Sequence, residues 1–203
     1  MKYPKTVQIN IDKKTGTLLG VIVVLVLALV FFFAGNTNMS MNHGGHGSMS
    51  SDENASGTYS DDELMFASMM IPHHSQAVTM SELALANSTN PEVLALATAI
   101  RDAQGPEITQ MQSWLDESNY SESESHSMDM GGMMSEEDLA TLASAKGAAF
   151  DRLFLEGMIA HHEGAIQMAE MVKDSTNSEV KMLFTNIVAS QSAEIEAMKA
   201  LLK

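Results

Sequence analysis

Phe66-Ala-Ser-Met-Met-Ile-Pro-His-His-Ser-Gln-Ala-Val-Thr-Met80 and Phe154-Leu-Glu-Gly-Met-Ile-Ala-His-His-Glu-Gly-Ala-Ile-Gln-Met168 share Phe, Met, Ile, two adjacent His, Ala and Met at a constant separation of 88 residues. Glu82 and Glu170 extend the match. After a one-residue gap, Glu92, Val93, Leu96, Ile100, Gln104, Glu107, Ile108 and Met111 correspond to Glu179, Val180, Leu183, Ile187, Gln191, Glu194, Ile195 and Met198. The chain therefore holds two copies of one unit of about fifty residues. Apolar residues within each copy recur three and four apart, the period of one helix face. Ser60 and Glu63 have capping-box spacing before a run that reaches about Ala86, while Asn90 as N-cap and Pro91 at the first helical position open a second run ending near Leu115. In the second copy Ser135 with Asp138 opens a lead-in, the long helix begins near Ala148 after Gly147, and the last helix follows Asn177. Pro72 and the Gly105-Pro106 pair mark places where these helices would kink. Neither hairpin can cover its own apolar stripe, so the sequence predicts an all-α fold in which the two pack as a four-helix bundle.

Upstream of the repeat, Thr17 to Gly35 reads TLLGVIVVLVLALVFFFAG, 19 residues without a charge. At ~1.5 Å per residue such a helix crosses the ~30 Å hydrocarbon core, and Phe31, Phe32 and Phe33 occupy the place where a signal peptidase needs small residues. An uncleaved N-terminal transmembrane helix is the expectation. Lys2, Lys5, Lys13 and Lys14 precede it and the next basic residue is Arg101, so residues 1–16 are assigned to the cytoplasm and everything after Gly35 to the extracytoplasmic side, in a periplasm or at a cell surface. Residues 36–59, rich in Ser, Gly, Asn and Met, read as a flexible tether to a domain over 60–203. That domain divides into copies at about 60–117 and 148–203, joined by a Met-rich connection over 118–134.

The composition narrows the chemistry. Cysteine is absent and methionine supplies 18 of 203 residues, so no disulfide or thiolate metal site exists and soft ligation falls to thioethers and imidazoles. Past Gly35 the chain carries 25 acidic against 7 basic residues, a balance of −18, which excludes nucleic acid and favours cations as partners. Phosphate-binding and hydrolase loops are missing, and a di-iron carboxylate bundle would need a His on helices that have none.

On a helix Met70, His73 or His74, and Met80 fall along one stripe, as do Met158, His161 or His162, and Met168. Adjacent residues point about 100° apart, so one His of each pair is expected to face inward. The second helices add Gln104, Glu107 and Met111, and Gln191, Glu194 and Met198. One account of this set is packing, with Met filling gaps and an inward His bonded to Glu107 or Glu194. The other is metal ligation. Two flexible clusters, Met39, Met41, His43, His46 and Met49, then His126, Met128, Met130, Met133 and Met134, lie among Gly, Ser and acidic residues where core packing does not explain them. Thioether sulfur suits Cu(I) or Ag(I), and imidazole also accepts Cu(II) and Zn²⁺.

With Met70-Ile-Pro-His-His74, Met158-Ile-Ala-His-His162, Gln104-x-x-Glu-Ile108, Gln191-x-x-Glu-Ile195, Phe150-Asp-Arg152 and Trp114-Leu115, the chain resembles the "domain of unknown function 305" family over residues 60 to 203. The resemblance implies a ferritin-like four-helix bundle, commonly exported. It also implies kinship with Met-rich periplasmic copper-binding proteins of the CopM type, carried here by Met70, His73, His74 and Met80, and by Met158, His161, His162 and Met168. The retained anchor departs from freely exported members.

Residues and resemblance together lead to a membrane-anchored copper-binding protein, Cu(I) its favoured ion, serving sequestration, relay or tolerance. The tether clusters would capture ions and a copper-handling protein would exchange them; the bundle closes either within one chain or by hairpins swapped between two, which would give a homo-oligomer. Two other readings stay open: a metal oxidase acting on Cu(I), and a structural bundle whose methionines consume oxidants.

Overall fold

The computed structural model describes residues 58–120 and 130–203, which form five α-helices and one short 3₁₀ turn with no strand among them. The Thr17–Gly35 span and most of the tether lie outside the described residues, together with Met39, Met41, His43, His46, Met49, His126 and Met128. Among the described residues no helix is long and apolar enough to cross a membrane.

Helix α1 (Asp61–Asn87) starts on the expected capping box, in which the Ser60 hydroxyl accepts from the Glu63 amide while the Glu63 carboxylate accepts from the Ser60 amide. Helix α2 (Pro91–Glu117) starts on Asn90, whose side chain accepts from the Glu92 amide. Helix α3 (Glu136–Ser144) is the short lead-in capped by Ser135. Helix α4 (Gly147–Ala169) starts one residue earlier than predicted because Gly147 takes a φ of +57°, a left-handed turn that glycine adopts without strain. Helix α5 (Ser178–Leu201) is capped by Asn177. The first two helices run unbroken past Pro72 and Pro106.

Hairpin α1/α2 meets hairpin α4/α5 chiefly along α1 and α4, the two helices that bear the His pairs. The apolar interior is divided in two. One core gathers Phe66, Met70, Met111, Trp114, Met168, Leu183 and Ile187, and the other Met80, Leu96, Ile100, Phe154, Met158, Ile195 and Met198. Each fully buried aromatic or aliphatic side chain contributes about 1.5–3 kcal/mol by leaving water. The stripe methionines thus divide between two cores, three on each side of a middle layer.

The connection between the copies is more ordered at its end than a flexible linker. Over Met130–Met134 it lies as a strap across α1 and α4, with Met130 packed on the first core and Met134 on the second. Packing therefore accounts for these two methionines, contrary to the expectation for the whole cluster. Gln76 clasps the strap by accepting from the Met134 amide (2.7 Å) and donating to its carbonyl (2.9 Å). On α4 the strap comes so close that a Cβ at Gly164 would lie 1.7 Å from the Gly131 carbonyl oxygen, and Gly132, at φ +83°, sits over the Ala160 carbonyl.

Gly164→Ala is expected to lift the strap and cost about 1–3 kcal/mol of unfolding free energy in a denaturant titration, the usual scale of overpacking. Gly105→Ala, whose Cβ meets nothing within 4 Å, is expected to be neutral or to stabilise through helix propensity. Equal effects of the two substitutions would refute the seating of the strap.

Candidate metal centre

His73 and His74 follow Met70 of one core and precede Met80 of the other, and His161 and His162 sit likewise between Met158 and Met168. Gln104 and Glu107 occupy the same level on α2, and Gln191 and Glu194 on α5. The duplication thus builds a polar layer across the waist of the bundle, walled above and below by methionine-bearing apolar cores. All four imidazoles are fully buried, where one per pair was expected. The 100° between neighbours is accommodated because α1 and α4 are covered on two sides: His74 and His162 turn toward their own hairpin partners, while His73 and His161 turn toward each other with ring centroids 3.8 Å apart.

The hydrogen bonds of the layer are systematic. Nε2–H of His74 donates to Glu107 Oε2 at 2.8 Å, and Nε2–H of His162 donates to Glu194 Oε2 at 2.8 Å. These are the pairs that the packing account anticipated. Nε2–H of His73 donates to the Gly131 carbonyl of the strap at 3.2 Å, and His161 has no hydrogen-bond partner on either nitrogen. Among the described residues, eleven buried side-chain polar atoms lack a hydrogen bond, and nine belong to this layer: Nδ1 of all four His, Nε2 of His161, and both amide atoms of Gln104 and of Gln191. An orphaned buried polar group costs about 1–3 kcal/mol.

Burial holds the His73 imidazole down to about 4, with the neighbouring His74 and His162 pressing the same way and the Gly131 carbonyl opposing them. Burial pushes His161 further, to about 2, reinforced by His73, His162 and His74. Both rings are therefore neutral at physiological pH, the form in which imidazole nitrogen is a metal ligand. Among the described residues no three His, Asp or Glu side chains converge closely enough to share one ion. The donors that fit an ion in this layer are instead pairs of imidazoles, with thioethers in the cores on either side, a soft set.

Of the sequence-predicted ligands, Met70, Met80, Met111, Met158, Met168 and Met198 are buried in the flanking cores, the four His and Glu107 are buried in the layer, and Glu194 is half-buried at its edge. Met133 is half-buried on the strap. Sequence reasoning missed Gln76, Gly131, Gly132, Gly157 and Gly164. The signal was in the alignment of the copies, where Gly157 and Gly164, seven apart on one helix face, replace Met69 and Gln76. Glycines repeated on one face mark a close approach by another segment. Met134 Sδ fills the space left at Gly157, 3.0 Å from where its Cβ would be, beside Met80.

Comparison with known proteins gives a consistent picture. The sequence profile of the family described as "Domain of unknown function (DUF305)" matches residues 63–202. A putative secreted DUF305 protein from Streptomyces coelicolor is 30% identical with a TM-score of 0.65, the alignment covering 70% of this chain and 91% of that one. CopM in its Cu(I)-bound form is 36% identical with a TM-score of 0.58, over 68% of this chain and 94% of that one. Its Ag-bound and Cu(II)-bound forms match at 35% identity and TM-scores of 0.57. An uncharacterised protein of Acanthamoeba polyphaga mimivirus is 43% identical over 56 residues, 28% of this chain and 37% of the viral protein's length.

The depressed imidazoles set a pH dependence. An unfolded chain takes up protons at His near pH 6.5, whereas folded His73 does so only near 4 and His161 near 2. Between about 6.5 and 4 the unfolded state binds more protons, so metal-free stability falls as pH falls and is undiminished by these two groups at pH 7 and above. Denaturation midpoints at pH 7.5, 6.5, 6 and 5 are expected to decline in the native protein and to decline less in His161→Leu. Identical slopes would show that His161 titrates normally.

Proposed function

The chain belongs to the DUF305 family, and on that footing we propose that its bundle binds soft metal ions, Cu(I) above all, in the imidazole layer, for sequestration or relay at the outer face of a membrane. The observation that carries the reading is the layer itself. Four imidazoles are buried with five unpaired nitrogens between two methionine-lined cores, and burial keeps His73 and His161 neutral, an arrangement that costs stability and supplies lone pairs.

An ion in this layer would draw on a pair of imidazoles from among His73, His74, His161 and His162, with the thioethers of Met70, Met80, Met111, Met158, Met168 and Met198 in the flanking cores as further soft donors. When bound, it supplies the positive charge that the unpaired lone pairs lack in the metal-free protein. His/carboxylate Zn²⁺ ligation is disfavoured by the want of three converging hard donors among the described residues. CopM, a relative of 36% identity with Cu(I)-, Ag- and Cu(II)-bound forms, supports the choice of ion. The acidic balance past Gly35 would raise the local cation concentration, the Met/His cluster of the tether would capture ions near the surface, and the Thr17–Gly35 segment would hold the domain at the membrane.

The test is anaerobic titration of the full chain in detergent with Cu(I) against a competing chelator, beside the same titration with Zn²⁺. Tight Cu(I) binding selective over Zn²⁺ is expected. His73→Leu/His161→Leu keeps side-chain volume while removing three of the five unpaired nitrogens. It is expected to weaken Cu(I) binding at least ~10-fold yet leave metal-free stability equal or higher, because replacing unsatisfied polar groups by apolar ones is neutral or stabilising. Unchanged affinity in that variant, or a collapse of metal-free stability, would return the layer to a purely structural role.

A further inference from the structure

The hydrogen bonds of the layer bear on which atom of each ring meets the ion, and the inference rests on the proposal that soft ions bind there. In three of the four imidazoles Nε2 is committed to a fixed acceptor: Glu107 for His74, Glu194 for His162, and the Gly131 carbonyl for His73. A carbonyl oxygen only accepts, so Nε2 of His73 must carry the proton, and an ionised carboxylate imposes the same on His74 and His162. In a neutral ring the proton on Nε2 leaves the lone pair on Nδ1. That nitrogen is buried and unpartnered in all three.

We infer that His73, His74 and His162, wherever each serves as one of a pair of imidazole ligands, meet the ion through Nδ1, and that Glu107, Glu194 and the strap carbonyl of Gly131 are positioning groups that fix this tautomer. An acceptor behind a ligating imidazole orients the ring and raises its basicity, and its removal typically costs 10–100-fold in metal affinity. The two carboxylates act within their own hairpins, while the third acceptor arrives from the connection and reaches His73 because Gln76 clasps Met134 and Gly164 lets the strap down onto α4. Gln76 is thereby a positioning residue at one remove. His161, with both nitrogens unpartnered, is the ring whose tautomer the protein leaves free, and it faces His73 directly. No proton need leave Nε2 when an ion takes the Nδ1 lone pair, so the Glu107 and Glu194 bonds persist in the loaded state.

Ag(I) is the probe, a soft, diamagnetic ion without redox chemistry. The full chain in detergent micelles, with nitrogen-15 in its histidines, is titrated with Ag(I) and the ring nitrogens are followed by NMR. The expected result is that Ag(I) shifts the Nδ1 resonance of each ligating ring among His73, His74 and His162 while its Nε2 keeps the bonded proton. Shifts at Nε2, or loss of the Nε2 protons, would overturn the inference and leave metal binding itself intact. Absence of any Ag(I) effect on the ring nitrogens would overturn the binding site and the inference together. The affinity series adds an independent arm: Glu107→Gln and Glu194→Gln keep an acceptor oxygen and are expected to bind Ag(I) within about threefold of the native chain, whereas Glu107→Leu and Glu194→Leu bind at least ~10-fold more weakly. Matching affinities for the Gln and Leu variants would remove the positioning role, and the native-chain spectra decide the tautomer even if a Leu variant fails to fold.

Discussion

Burying polar rings in the middle of an apolar bundle constrains everything around them. A neutral imidazole has one donor and one acceptor, and in a water-poor interior each must find a partner or cost free energy. The fold meets half of that requirement. His74 meets Glu107 across the first hairpin and His162 meets Glu194 across the second, and each bond requires that two helices be in one register only. A slip of one residue would rotate a carboxylate out of reach and leave it buried beside an unpaired ring, a far larger penalty than moving a methionine against an alanine. The apolar cores, rich in flexible methionine, would tolerate several registers; the polar layer selects one.

Duplication makes the bundle nearly two-fold symmetric, and the strap breaks that symmetry by necessity. A single connection joins the copies, so it can lie over only one of two equivalent rings. The positions on which it rests are equivalent in the repeat yet chemically opposite: Gln76, which grips its backbone, and Gly164, which makes room for it. Divergence at this pair of aligned positions, and at Met69 and Gly157, lets one loop dock between two related helices. His73 gains a carbonyl partner and its counterpart His161 is left with none. His161 is the more strongly depressed of the two, because burial acts on it with three neighbouring imidazoles pressing the same way, against two at His73.

Much of this was legible in the sequence because it is local or repeated. Ser60 with Glu63, Asn90 with Pro91, and Asn177 announce helix starts through side chain to backbone bonds that span two or three residues. The offset of 88 paired the His motifs, and the spacing of Glu107 and Glu194 marked their partners. Long-range approach was not legible. Nothing within a few residues of Gly131 says that its carbonyl meets a ring 58 positions away, and the Ser, Gly and acidic character of the connection reads as a linker throughout. The inward turning of both His in each pair was missed for a related reason: helix geometry fixes the angle between neighbours, but only the tertiary arrangement decides whether both directions are covered.

Charge argues for the kind of ion that such a layer can hold. The cost of transferring an ion from water into a low-dielectric interior grows with the square of its charge, so a monovalent ion meets roughly a quarter of the penalty of a divalent ion of the same size. The two nearest carboxylates are each engaged with an imidazole proton, and the walls of the layer are thioether and hydrocarbon. A divalent ion, which imidazole also accepts, would thus meet the larger penalty with no unengaged carboxylate among the described residues of the layer to offset it. His73 and His161, kept neutral by burial, hold unpartnered lone pairs that would suit a soft monovalent ion at the smaller penalty. Any ion that binds the folded chain alone stabilises it by an amount that grows with the logarithm of its concentration over its dissociation constant, so binding in the layer would offset the cost of its unpaired groups.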